Sequence, residues 1–123
     1  MMKVAGTGTL ASALVLAATC WSLGAVSSSA IAASSAEEGK KIAFDRRKGN
    51  CMSCHVIEGA SLPGNIGPPL IAMKARFPDR AVLRTQIWDA TQKNPQSMMP
   101  PFGEHGILSK DEIEKVTDYV HSL

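Results

Sequence analysis

Cys51-Met52-Ser53-Cys54-His55 constrains this chain more than any other stretch. Two thiols separated by two residues, with a His directly after the second, form the pattern of covalent c-type haem attachment, in which each thiol adds across one vinyl group. Cys51 and Cys54 are read as the thioether anchors and His55 as the proximal iron ligand. Two other chemistries use a C-x-x-C pair. A redox dithiol has no need of the trailing His. A structural zinc site takes a second pair, and the one further cysteine, Cys20, stands alone near the N-terminus.

The segment around Cys20 reads as a leader. Lys3 is followed by the apolar run 10–18, then by small residues ending in Ala30-Ile31-Ala32. A positive start, an apolar centre and an A-x-A site make a secretory signal peptide. Residues 1–32 are expected to be removed, by a cut near Ala32 or Ala33, leaving 33–123 as a single cytochrome-sized domain. The apolar run falls short of the ~20 residues that span a bilayer. Acylation of Cys20 is the lesser alternative, because Ala17-Ala18-Thr19 resembles a lipobox poorly. Export to the periplasm also suits haem attachment, which in bacteria takes place outside the cytoplasmic membrane.

The remaining domain of about 90 residues is small for a self-sufficient core, and the haem supplies apolar volume. The leader holds one of the thirteen basic residues and none of the eleven acidic ones, so the rest is formally +1. No basic run is interleaved with aromatics, which argues against nucleic acid. Lys40, Lys41, Arg46, Arg47 and Lys48 do cluster before the haem motif. They read first as a solvated helix face and second as a rim for an acidic partner or for the haem propionates.

The pattern predicts an all-α domain of three to four helices around one haem. A first helix is expected over about 35–48, capped by Ser34 or Ser35, with Gly39 permitting a close crossing. Residues 56–78 read as loop, punctuated by Pro63-Gly64-Asn65 and Gly67-Pro68-Pro69. A second helix is expected over about 79–91, with Leu83, Ile87 and Ala90 at helical spacing and Trp88 as core or haem-wall packing. The last helix is the clearest: Ser109 and Glu112 form a capping box, and Ile113, Val116, Val120 and Leu123 share one face. Its partner is the first helix, near Phe44 and Tyr119. His121 reads as a surface residue.

Between the later helices lies Ser97-Met98-Met99-Pro100-Pro101-Phe102-Gly103. A sixth iron ligand is expected from such a loop, and Met suits an electron carrier because its thioether raises the potential. Met99 is preferred, since the following Pro-Pro constrains its backbone. Met98, Met73 and His105 are the remaining candidates.

Helix, C-x-x-C-H, loop, helix, Met loop, helix resembles the class I cytochromes c. A finer resemblance rests on Gly64-Asn65-Ile66-Gly67-Pro68-Pro69-Leu70, Met73-Lys74-Ala75-Arg76-Phe77-Pro78-Asp79-Arg80, Ile87-Trp88-Asp89-Ala90-Thr91, Met99-Pro100-Pro101-Phe102-Gly103 and Gly106-Ile107-Leu108-Ser109. That series is similar to the SoxX family, the monohaem subunits of the SoxAX complexes of thiosulfate oxidation. The resemblance implies haem c on Cys51 and Cys54, iron ligation by His55 and Met99, and a Pro68 carbonyl accepting the His55 Nδ1 proton. It implies a SoxA-like partner carrying the catalytic cysteine, a SoxYZ carrier that receives thiosulfate on a cysteine, and a downstream cytochrome that takes the electrons. No catalytic residue is expected in this chain itself. A free periplasmic electron shuttle is the alternative; a ligand-sensing haem protein is disfavoured by the Met-Pro-Pro loop.

Overall fold

Ser109 stops the preceding loop and starts the helix on which the others pack. In the computed structural model, which describes residues 28–123, the Ser109 Oγ accepts from the Glu112 N–H at 3.2 Å. The Glu112 carboxylate returns the bond to the Ser109 N–H at 3.0 Å. This box opens α4, Lys110–His121. Its inward face carries Ile113, Val116, Tyr119 and Val120, all buried, and Thr117, whose hydroxyl donates to the Ile113 carbonyl at 2.7 Å. Residues 1–27, Cys20 and most of the expected leader included, lie outside the described residues.

The helix that crosses α4 is α1, Ser28–Phe44. Gly39 is the crossing point, because any Cβ there would land on the Lys115 carbonyl and press on Tyr119. The two backbones therefore approach as only glycine allows. One turn further on, Phe44 meets Tyr119 edge-on, centroids 6.4 Å apart. The helix begins earlier than its capping pattern predicts. Ser35 lies inside it, and its hydroxyl donates to Asp118 of α4 at 2.5 Å. The helix also stops earlier, at Phe44 rather than Lys48: the Asp45 carboxylate takes the Arg47 N–H at 2.8 Å, and its carbonyl takes those of Lys48 and Asn50. A short acidic side chain here offers the backbone a turn in place of the helix.

Two further helices complete the frame. α2 is a single turn, Met73–Arg76, inside the stretch expected to be loop. It is docked by its first residue: Met73 is buried and its N–H donates to the Leu123 carbonyl at 2.7 Å. α3, Arg80–Trp88, starts at Asp79, whose side chain accepts from the Ala81 N–H at 2.8 Å. Its continuation to Thr91 is broken at Asp89, which takes an extended backbone and caps a separate 3-10 turn, Ala90–Gln92. His121 is not a free surface residue, since its Nε2 donates to the Phe77 carbonyl at 3.0 Å and ties the end of α4 to the α2–α3 link. No strand occurs among the described residues, and the fold is the expected all-α one.

α3 is fastened to α4 by charge. The Arg80 guanidinium donates to Asp118 at 2.6 Å and to Glu114 at 2.9 Å, and Arg84 also donates to Glu114. The Arg84 hydrogen bond, with that of Arg80 behind it, holds the Glu114 carboxyl below its ordinary range. A depressed folded-state value stabilises the fold above the unfolded pKa, and that share is lost as pH falls through the folded one. Thermal melts taken downward from pH 5 are expected to fall less steeply for Glu114→Gln than for the natural chain. Identical slopes would remove Glu114 from the acid response.

Candidate haem site

Helices α3 and α4 and the loop after α3 enclose a cavity of about 700 Å³. Its apolar wall includes Leu83, Ile87, Phe102, Leu108, Val116 and Val120. Such a volume lies within the range of cofactor pockets, ~300–1,000 Å³. A wall of mostly aliphatic side chains, with Phe77 and Phe102, suits a flat apolar macrocycle.

The reactive side chains enter from a 3-10 turn. Asn50, at φ 44°, swings the chain out of the loop after α1 and into Cys51–Ser53. In a 3-10 turn residues i and i+3 eclipse, so the Cys51 and Cys54 side chains stand above one another on the same side. Both line the cavity, as does His55. Neither thiol is in a disulfide. Burial pushes the Cys51 thiol up to about 11, the opposite of the lowered value that makes a dithiol a redox catalyst. No group of three or more His, Cys, Asp or Glu with metal-binding geometry occurs among the described residues. A raised thiol does not fit a redox dithiol, and the described residues offer no cluster for zinc.

His55 is oriented from behind. Its Nδ1 donates to the Pro68 carbonyl at 2.7 Å, which leaves Nε2 as the acceptor nitrogen. Such a bond fixes the tautomer and raises the basicity of the other nitrogen toward a metal. The loop that supplies the carbonyl is laced to the haem motif: Gly64 N–H to Met52 O and Gly67 N–H to Cys54 O, both 2.8 Å, and Leu70 N–H to Val56 O at 2.9 Å. Gly67 lies flat against the imidazole, where any side chain would displace the ring. Arg76, which carries no signal of this role in the sequence, reaches back from α2 to the Pro69 carbonyl at 2.7 Å. It holds the segment that holds His55.

The candidate sixth ligands separate by burial. Met98 is 77% exposed, whereas Met99 is half-buried and packs on the core. Met73 lines the cavity but is 1% exposed, with the Arg76 guanidinium 3.4 Å from its sulfur. His105 is exposed and does not line the cavity. Of the basic cluster, Arg46, Arg47 and Lys48 border the cavity, while Lys40 and Lys41 point to solvent on α1. Lys48 is paired with Glu112. Trp88 does not line the cavity; its indole lies against Gly103 instead.

Two thiols and an imidazole with one uncommitted nitrogen, on the wall of an apolar slot of this size, fit a covalently attached haem. The Cytochrome c family profile matches residues 36–123, and the chain belongs to that family. Its domain carries covalent haem c and serves electron transfer. Among solved structures, SoxXA from P. pantotrophus superposes with a TM-score of 0.63 at 28% identity, over 70% of this chain and 79% of that one. The chain is thus a SoxX-like class I cytochrome c. A protein of Aquifex aeolicus (strain VF5) described as an uncharacterized lipoprotein is 34% identical over 76 residues, 61% of this chain. The chain spans 37% of that relative's length.

Proposed function

We propose that this chain is the monohaem electron-relay subunit of a SoxAX-type complex, with Cys51 and Cys54 as haem anchors and His55 and Met99 as axial ligands. The observation that carries the site is the His55–Pro68 bond, which commits Nδ1 and leaves Nε2 for iron on a residue lining the cavity. The haem would supply a reversible one-electron couple. The chain's own residues would hold it: Cys51 and Cys54 as the covalent anchors, His55, oriented by Pro68 and Gly67, and Met99 as the iron ligands. No residue here is required for acid–base or nucleophilic work. The thiosulfate-to-cysteine step would fall to a SoxA-like chain and a SoxYZ carrier, with a downstream cytochrome as acceptor.

The likeness to the SoxXA structure supports the partner. The test is a pull-down from thiosulfate-grown cells with tagged protein. A stoichiometric second haem chain that forms the thiosulfate adduct on a carrier cysteine supports the relay role. A lone, reversibly reducible cytochrome would move the function to a free periplasmic shuttle.

Export follows from the leader, with residues 33–123 as the mature periplasmic domain. The name of the Aquifex relative favours a second reading, acylation at Cys20, in which the Ser- and Ala-rich segment after it becomes a tether. The mass of the mature chain separates the two: a start at Ala33 or nearby supports cleavage, and a diacylglyceryl-bearing Cys20 supports the tether.

A further inference from the structure

The loop bearing Met99 is held at its far end by a contact that the haem motif does not explain. Gly103 is buried, and a Cβ built on it would fall inside the Trp88 indole. The same two residues share a backbone bond, Gly103 N–H to Trp88 O at 3.0 Å, backed by Glu104 N–H to that carbonyl at 3.4 Å. Trp88 is the last residue of α3, which sets its backbone, and its indole N–H donates to the Glu104 carboxylate at 3.4 Å. The Arg84 guanidinium lies over that ring, 5.3 Å from its centre, and is itself held by Glu114 of α4.

From this anchor the chain runs back to the sulfur through little that can bend. Gly103 is preceded by Phe102, buried and lining the cavity, and then by Pro101 and Pro100, whose ring-locked φ angles leave few conformations. The Phe102 carbonyl accepts from Leu108 N–H and the Pro101 carbonyl from His105 N–H, both at 3.0 Å. Met99 therefore sits at one end of a stiff strut whose foot is the Trp88–Gly103 contact, with its own N–H held by the Ser97 hydroxyl at 3.2 Å.

We propose that Trp88 and Gly103 are positioning residues: their contact sets where the Met99 thioether stands, and so how firmly the sixth position is held. The proposal rests on Met99 being the ligand. Adding a methyl at Gly103 shifts the foot of the strut, and two prolines transmit the shift instead of absorbing it. A displaced thioether competes less well with an added ligand.

The test measures imidazole binding to the ferric holoprotein, together with the red thioether-to-iron charge-transfer band. Gly103→Ala is expected to bind imidazole about tenfold more tightly, a loss of ~1.4 kcal/mol from the thioether bond, with the band weakened. Trp88→Leu removes the surface the strut leans on and is expected to move affinity in the same direction. In the double variant the methyl finds room, so the effect of Gly103→Ala is expected to shrink, a coupling that general destabilisation does not produce. Met99→Ala is the control: if it keeps the band, the ligand assignment fails and the strut with it. If Met99→Ala loses the band while Gly103→Ala and Trp88→Leu both keep wild-type affinity, the ligand stands and the positioning role is overturned. Where Gly103→Ala yields no holoprotein, Trp88→Leu alone decides: unchanged affinity refutes the role.

Discussion

Gly39→Ala is expected to lower the melting temperature of the holoprotein by about 10 °C. The substitution is favourable on helix propensity alone, by about 1 kcal/mol in a helix interior, so a chain read by propensity would be stabilised. The crossing reverses the sign. A Cβ at this position lands on the Lys115 carbonyl, which is backbone and part of α4, so neither neighbour can yield by a rotamer change. α1 and α4 must separate instead, and the Phe44–Tyr119 contact and the Ser35–Asp118 bond on either side of the crossing open with them. Overpacking of this kind costs about 1–3 kcal/mol or more, which outweighs the propensity gain. At ~4–8 °C per kcal/mol for a domain of this size, a net loss near 2 kcal/mol gives the expected shift. Lys40→Ala, one residue away and exposed, stays within about 0.5 kcal/mol of the natural chain. A Gly39→Ala protein that melts at the natural temperature would mean the helices do not cross there.

The features legible in the sequence are those in which one residue type has one physical use. The capping box at Ser109 and Glu112 and the close approach at Gly39 belong to this group, whereas the Pro68 carbonyl behind His55 is an expectation of the family resemblance alone. Helix limits were harder because Asp and Ser side chains serve either a cap or a turn. Ser35 offers a cap in sequence and spends its hydroxyl on Asp118; Asp45 and Asp89 end helices that hydrophobic spacing alone would extend. α2 has a single turn, too short for any periodicity, and is helical because Met73 is buried and its N–H meets the Leu123 carbonyl. Arg76 and Trp88 escape for a different reason. What they do depends on a partner distant in the chain, Pro69 for one and Gly103 for the other, and neither pairing leaves a local pattern. Thr117 is similar: it occupies a fully buried site because its hydroxyl folds back onto the Ile113 carbonyl, and a polar letter in an apolar stripe does not announce that.

Met99→Ala is expected to lower the midpoint potential by on the order of 100 mV, a modest share of the ~0.8 V that axial ligands command. The direction follows from the thioether, which raises the potential by favouring Fe(II). Removing it leaves water or hydroxide as the available sixth partner, and oxygen donors favour the ferric state. Burial distinguishes the neighbour: Met98 is 77% exposed, so nothing holds its side chain in place as the core holds that of half-buried Met99. Met98→Ala is therefore expected to change the potential by less than ~30 mV, about a threefold change in a one-electron equilibrium at 59 mV per decade. Spectroelectrochemical titration of the two variants beside the natural protein reads both values, and the ferric spectrum reads the spin state at the same time. The natural chain is expected to be low-spin at neutral pH and Met99→Ala to gain high-spin character. If the large shift appears in Met98→Ala instead, the sixth ligand is the other sulfur, and the positioning role of Trp88 and Gly103 falls with the Met99 assignment.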